Sequence, residues 1–235
     1  MKEKTNDKNR VGKAVVKHMR ILTMLLILVL AMAAPVNAKG GTRFLTATRI
    51  TKTVLDKLDL ENIDKVMIVA HPDDEMLWGG MHLIQDDYLV VCLTNANTRR
   101  YGKTRMREFK KVMEQTNDIG LMLNYPDYSS TGGIDNWTSC SKRIQEDLNT
   151  LLTYKNWKEV VTHNKQGEYG HKHHKKTHRF VTKAFKKAGL SGATLKYFGK
   201  YHKKGYKKAS VYTKAQIQKK KRILSTYRSQ RSIYT

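Results

Sequence analysis

The chain has 235 residues and a formal net charge of +25, from 45 Lys and Arg against 20 Asp and Glu. No linker rich in Pro, Gly or Ser and no internal repeat divides it, which excludes a repeat array and predicts one folded domain. The charge is uneven, because residues 39–170 carry 18 basic and 18 acidic side chains, whereas residues 171–235 carry 20 basic and no acidic ones. A segment this basic predicts an anionic environment or partner.

The N-terminal segment has the three parts of a secretory signal peptide. The first 20 residues carry seven basic and two acidic side chains, residues 21–34 are apolar with one Thr, and Pro35-Val36-Asn37-Ala38 follows. This pattern predicts a signal peptide over residues 1–38, cleaved after Ala38, and a domain over residues 39–235. The apolar core is short for a membrane span of about 20 residues, so an uncleaved anchor is the less favoured alternative. We therefore expect a secreted, extracellular protein, with association at the cell surface as an extension.

The remaining chain alternates between two kinds of hydrophobic pattern. Strands are predicted at residues 65–70, 88–94, 158–163 and 193–198. Helices are predicted at residues 104–118, 139–154, 174–188 and 213–227. Such alternation favours an α/β fold with a parallel sheet covered by helices on both faces. No G-x-G-x-x-G follows the first strand, which argues against a dinucleotide site.

The most informative motif, Ala70-His71-Pro72-Asp73-Asp74-Glu75, follows the first apolar strand. The motif therefore lies where a strand of the predicted sheet ends, which is the edge at which open α/β sheets bind ligands. An imidazole and a carboxylate two or three residues apart can bind one metal ion, and the neighbouring carboxylate can take a proton from water. Glu75, in the first turn of a following helix, is interpreted as structural. The motif predicts a metal-dependent hydrolase.

A catalytic zinc ion usually has three protein ligands, so a third must come from elsewhere in the chain. The tract Gly167-Glu168-Tyr169-Gly170-His171-Lys172-His173-His174 follows the third predicted strand, and His178 comes after it. Parallel strands would bring this tract and the first motif to the same edge of the sheet. His173 and His178 are as well explained by an adventitious histidine cluster as by function.

Together these motifs resemble the PIG-L/LmbE-like N-acetylglucosaminyl deacetylases. The resemblance covers about residues 65–230 and includes Arg105-x-x-Glu108 and Tyr227-x-Ser229-Gln230. It implies a Rossmann-like three-layer α/β/α sandwich with a mostly parallel sheet. It also implies a zinc-dependent enzyme that removes the N-acetyl group from an N-acetylglucosamine-type amino sugar, in a glycan or a conjugate. Fe²⁺ is the alternative metal.

The resemblance also implies a role for individual residues. The zinc ligands would be His71, Asp74 and His174. Asp73 would be the general base, His171 an acid or a stabiliser of the oxyanion, Arg105 a substrate or oxyanion contact, and Tyr169 an assisting loop residue. One departure stands out, because Lys172-His173 replaces the Pro-Asp that family members commonly carry between the two histidines. A carboxylate partner for His171 would then come from elsewhere, or the pKa of His171 would be lower.

Two other classes of function stay open. The first is a secreted metal-dependent nuclease or phosphodiesterase, for which two-metal chemistry would require more converging carboxylates than the motifs offer. The second is a non-catalytic module that binds wall polymer, disfavoured because a binding site would not need Asp73. The loops over residues 125–133 and 199–210 are the candidates for substrate specificity.

The basic part, residues 171–235, interleaves lysine clusters with Tyr201, Tyr206, Tyr212 and Tyr227. For an exported protein this composition predicts binding to an anionic cell-wall polymer or polysaccharide, without specific nucleic-acid recognition. Membrane association is expected only if the signal segment stays uncleaved.

The two cysteines, Cys92 and Cys140, are compatible with either a disulfide or two free thiols.

Overall fold

The structure is a computed structural model that describes residues 41–95, 102–202 and 211–234. The predicted signal peptide lies outside the described residues. Six strands form one sheet: β1 (Phe44–Thr46), β2 (Lys65–Val69), β3 (Leu89–Thr94), β4 (Ile119–Tyr125), β5 (Glu159–Thr162) and β6 (Thr194–Tyr197). Their order is β1-β4-β3-β2-β5-β6, and every neighbouring pair is parallel.

Helices cover the sheet on both faces. Their bounds are α1 (Lys52–Leu55), α2 (Asp74–Leu77), α3 (Gly80–Gln85), α4 (Gly102–Thr116), α5 (Ser141–Thr153), α6 (Lys172–Ala188), α7 (Lys214–Leu224) and α8 (Arg231–Tyr234), with a 3₁₀ turn at Arg228–Gln230. Side chains of α5 and α6 pack in one hydrophobic cluster with one face of the sheet, and those of α4 and α7 pack in a second cluster with the other face. The predicted Rossmann-like three-layer α/β/α fold is confirmed.

The four predicted strands and four predicted helices are all present, with ends that differ by at most three residues. The sequence patterns did not predict β1 or β4, and the apolar residues of β4 from Ile119 to Leu123 are buried between β3 and β1. The predicted helix 104–118 is shifted by two residues towards the C-terminus relative to α4, Gly102–Thr116. Helix α4 ends at Thr116 because Asn117 has φ of 66° and Asp118 accepts a hydrogen bond from Tyr88 N at 2.7 Å.

The order of the strands locates the site. From β2 the chain passes to β3 on one side, and β5 later returns to the other side of β2. The crevice beyond the carboxyl ends of β2 and β5 is therefore a topological switch point, where open α/β sheets bind ligands. The segments that follow β2 and β5 carry the two histidine motifs.

The question of a disulfide is answered by burial on opposite faces of the sheet. Cys92 lies in β3 and packs in the cluster beneath α4, whereas Cys140, just before α5, packs in the other cluster. Both are buried free thiols.

No helix within the described residues is both long and apolar enough to cross a membrane.

Candidate active site

The turn after β2 holds its key carboxylate in an unusual backbone conformation. Asp73 has φ of 113°, a region that residues other than glycine rarely adopt. Its backbone N–H donates to Glu75 Oε2 at 3.0 Å, and the Glu75 carboxylate also accepts the hydroxyl of the buried Tyr227. Burial raises the pKa of Glu75 to about 8. Backbone strain of this kind is concentrated at functional sites, where surrounding contacts maintain it.

The three predicted metal ligands converge. His71 Nδ1 lies 3.2 Å from Asp74 Oδ2, His174 Nε2 lies 3.2 Å from Asp74 Oδ1, and the two ring nitrogens are 3.3 Å apart. Ligand atoms about 2.0–2.1 Å from a tetrahedral zinc ion would be separated by roughly 3.4 Å. The donor types and their separations therefore fit a single divalent metal ion held by these three side chains.

Glu168 sets the tautomer of His174. Its Oε2 accepts from His174 Nδ1 at 2.6 Å, which leaves Nε2 of that ring directed at Asp74 and His71. Burial would raise the pKa of Glu168, but its hydrogen bonds to His163 and His174 outweigh burial and lower it. A carboxylate bound to the distal nitrogen of a ligating histidine orients the ring and increases its basicity.

His163, which directly follows β5, lies beside this cluster. Together with Asp74 and His174, it forms one of the groups of side chains in the described residues that could hold a metal ion. However, its Nε2 accepts the Ala70 backbone N–H at 3.0 Å, and its Nδ1 donates to Glu168 Oε2 at 2.9 Å. Both ring nitrogens are thereby used within the protein, which favours a supporting role for His163 beside the predicted ligands.

His171 lies beside the ligands, with its ring centre 4.7 Å from that of His71 and 4.6 Å from that of His174. It is the N-cap of α6, and its Nδ1 accepts the backbone N–H of His173 at 3.2 Å. Burial and the neighbouring histidines lower the pKa of His171 to about 3. The ring is therefore neutral at physiological pH and carries its proton on Nε2.

Asp73 and Arg105 form a buried pair. Arg105 Nη2 is 3.2 Å from Asp73 Oδ1 and donates to the carbonyl oxygen of Pro72 at 2.5 Å. Burial raises the pKa of Asp73 to about 7, although Arg105 opposes the shift. Arg105 Nε is buried without a hydrogen-bond partner among the described residues. An unpaired buried donor is costly, so a ligand oxygen at this guanidinium would be stabilising.

The pocket above these groups has a volume of about 170 Å³. Both Asp73 and His171 line it, together with Gln230 from the C-terminal segment. Aromatic and apolar side chains form another part of its walls: Leu77, Trp78, Tyr128, Ile134 and Tyr169. Tyr169 is 59% exposed, and its ring centre is 6.0 Å from that of Trp78, which in turn is 6.3 Å from that of Tyr201.

All seven predicted site residues thus lie around one pocket or directly beneath it, and His178 does not join them. Its Nδ1 contacts the backbone oxygen of His163 at 3.0 Å instead. Sequence reasoning assigned no role to Asp127, Glu168 or His163. Asp127 follows β4 at the carboxyl edge of the sheet, so finding that strand would have pointed to it.

The C-terminal motif reaches the site as the resemblance implied. Ser229 donates to Glu108 through its backbone N–H at 3.0 Å, and Gln230 lines the pocket beside Arg105. Together with the contact between Tyr227 and Glu75, these bonds attach the end of the chain to the two motifs that carry Asp73 and Arg105.

A parallel α/β sheet with a buried His-Asp-His cluster at its switch point defines a class of protein with a candidate metal-dependent active site. The sequence profile described as PIG-L, GlcNAc-PI de-N-acetylase, matches residues 66–185, and the chain belongs to this family. An uncharacterized protein, L374, of Acanthamoeba polyphaga mimivirus is 36% identical over 125 residues, which are 48% of this chain and 53% of that protein. The chain therefore matches about half the length of this curated relative.

Solved structures share the fold at lower identity. N,N′-diacetylchitobiose deacetylase from Pyrococcus horikoshii is 18% identical with a TM-score of 0.54, over 73% of this chain and 72% of that one. The A40926 pseudoaglycone deacetylase Dbv21 is 15% identical with a TM-score of 0.56, over 74% and 84% of the two chains. The conserved protein TT1542 from Thermus thermophilus is 18% identical with a TM-score of 0.54, over 73% and 81%.

Proposed function

We propose that the protein is a zinc-dependent hydrolase that removes the N-acetyl group from an N-acetylglucosamine-type amino sugar and releases acetate and a free amine. One observation carries the proposal: the ring nitrogens of His71 and His174 lie 3.3 Å apart and each lies 3.2 Å from one oxygen of Asp74, next to the buried pair of Asp73 and Arg105. Family membership supports an enzyme that acts on N-acetylated amino sugars.

The chemistry that bound zinc supplies is Lewis acidity at the acetamide carbonyl and a lower pKa of the attacking water. Asp73 takes a proton from that water as its oxygen bonds to the carbonyl carbon. A base whose pKa is about 7 is matched to this task at neutral pH. The same proton is then available for the amine nitrogen when the carbon–nitrogen bond breaks, so that Asp73 returns to its carboxylate form.

His171 and Arg105 stabilise the negative charge that develops on the carbonyl oxygen. Since Nδ1 of His171 is occupied by the backbone N–H of His173, Nε2 is its proton-bearing nitrogen and acts as a hydrogen-bond donor. This supports oxyanion stabilisation over the role of general acid. Preorganised donors of this kind contribute about 10²–10³-fold to the rate each.

The test is acetate release by the purified protein after zinc, iron or no metal has been added. Substrates are N-acetylglucosamine, its β-linked oligomers and a bis(p-nitrophenyl) phosphodiester. Zinc-dependent release of equimolar acetate and primary amine supports the proposal. Cleavage of the phosphodiester without acetate would replace it with the phosphodiesterase alternative. A filled metal site without turnover of any substrate would favour a binding module.

The aromatic rim supports a substrate longer than one sugar. Trp78 and Tyr169 line the pocket, and Tyr201 packs against Trp78 and extends this aromatic surface. Aromatic faces of this kind suit stacking against sugar rings. We expect Trp78→Ala to lower kcat/KM for a chitotetraose substrate about 10-fold, near the value of one such contact, while N-acetylglucosamine turnover changes less than two-fold. Steady-state kinetics on the two substrates check this, and equal losses on both would contradict it.

Export and surface retention are further parts of the proposal. Residues 171–235 carry the whole excess of positive charge of the predicted domain, residues 39–235, and six basic side chains of α6 are exposed: Lys172, Lys175, Arg179, Lys183, Lys186 and Lys187. We expect the protein to bind an anionic wall polymer at 50 mM salt and to elute by about 0.5 M, because salt screens exposed charges. Co-sedimentation with purified polymer measures it, and binding that persists at 1 M salt would contradict it.

A further inference from the structure

We propose that His173 is a positioning residue that fixes the tautomer and orientation of His71, so that Nδ1 of His71 is its metal-binding nitrogen. The inference rests on the metal site of the proposed function and concerns a side chain that the motif alone leaves unexplained. The resemblance places His173 where family members commonly carry an aspartate. Its backbone N–H donates to the ring of His171, whereas its own ring contacts that of His71.

The His173 ring is held in one orientation by its neighbours. The side chain is fully buried, and it stacks on Trp137 with ring centres 4.0 Å apart and planes 5° from parallel. Its Nε2 lies 2.6 Å from the backbone oxygen of Asp135. A carbonyl oxygen can only accept, so Nε2 carries the proton of the neutral ring and Nδ1 is left as an acceptor.

The tautomer of His173 in turn determines the tautomer of His71. His173 Nδ1 lies 3.0 Å from His71 Nε2. Because Nδ1 of His173 is an acceptor, Nε2 of His71 must carry a proton and donate it. The lone pair of the neutral His71 ring is then on Nδ1, which is the atom 3.2 Å from Asp74 and 3.3 Å from His174.

Asp127 is the second acceptor near the same N–H. Its Oδ1 is 3.3 Å from His71 Nε2 and 3.6 Å from His173 Nδ1. The Nε2 side of His71 is thus flanked by one carboxylate and one neutral imidazole. An aspartate at position 173 would place a second carboxylate in the same buried space, so the histidine provides an acceptor for His71 without adding another negative charge.

The segment after β4 holds these partners in place. Asp135 N donates to the backbone oxygen of Asp127 at 2.9 Å, and Trp137 Nε1 donates to the backbone oxygen of Pro126 at 2.7 Å. The same segment contributes Tyr128 and Ile134 to the pocket wall. One loop therefore lines the pocket and also supports a metal ligand through the contacts of His173.

The test compares zinc affinity in His173→Phe, His173→Asn and His178→Phe by competition with a chelator. Phe keeps a ring that can stack on Trp137 but removes the acceptor, so we expect zinc binding to weaken about 10–100-fold, the usual effect of losing an outer partner of a ligand. Asn restores an acceptor oxygen near the position of Nδ1, so its affinity should return to within about five-fold of the parent. His178→Phe, on the same helix, should bind zinc as the parent does.

A second measurement needs no substitution. Long-range ¹H–¹⁵N correlation spectra of the zinc-loaded parent should show His71 protonated at Nε2 and bound to metal through Nδ1. Metal bound through Nε2 of His71 would overturn the inference, as would a folded His173→Phe variant with unchanged zinc affinity. Neither readout depends on acetate release, so failure of the inference is distinguishable from failure of the proposed activity.

Discussion

Replacement of Asp73 by asparagine is expected to lower the rate of acetate release by about 10²–10⁴-fold, the usual contribution of a general base. Asparagine has nearly the same shape and keeps an oxygen for Arg105, but it cannot accept a proton from water. Asparagine is also, with aspartate, among the residues that best tolerate positive φ, so the turn at 113° should be preserved. Zinc content should stay at one ion per chain, because Asp73 is not among the proposed ligands His71, Asp74 and His174.

The measurement is single-turnover acetate release together with metal analysis of the same samples. Asp86→Asn is the matched control, since this carboxylate is exposed and pairs with Lys65 on the surface, where an ion pair contributes little. It should retain the parental rate. An Asp73→Asn variant with full zinc and a rate within three-fold of the parent would show that Asp73 is not the base.

Replacement of His174 by alanine is expected to remove the metal. The substitution deletes one of three ligands and also leaves the buried Glu168 without one of its two histidine donors. Zinc affinity should therefore fall by more than the roughly 10–100-fold that follows loss of an outer partner. Acetate release should fall to the level of the metal-free parent.

His178→Ala is the matched control for this experiment, because His178 lies one turn further along α6 and its Nδ1 contacts only the backbone oxygen of His163 among the described residues. Zinc stoichiometry by metal analysis, affinity by chelator competition and acetate release are measured on both variants. Stoichiometric zinc of parental affinity in His174→Ala would contradict the assignment of the ligands. Metal loss in both variants would instead indicate damage to the helix.

The local motifs predicted side chains that the structure brings together, because their spacing is short. His71 and Asp74 are three residues apart in one turn, and His171 and His174 are three apart at the start of one helix, so each pair is brought together by local backbone geometry. Alternating apolar patterns predicted four strands and four helices for the same reason. The pattern was missed at β4, where an apolar run that includes Gly120 directly follows a helix and has no clear boundary.

The sequence by itself determined the fold class, and it was enough to propose the metal ligands and the general base, because these predictions follow from periodicity and short motifs. Only the tertiary structure decided what the second nitrogen of each ligating ring contacts. His71 contacts His173, which lies 102 residues later in the chain, and the loop after β4 places Asp127 beside the same His71 ring. Such contacts depend on how strands from distant parts of the chain are ordered in the sheet, which no local spacing specifies.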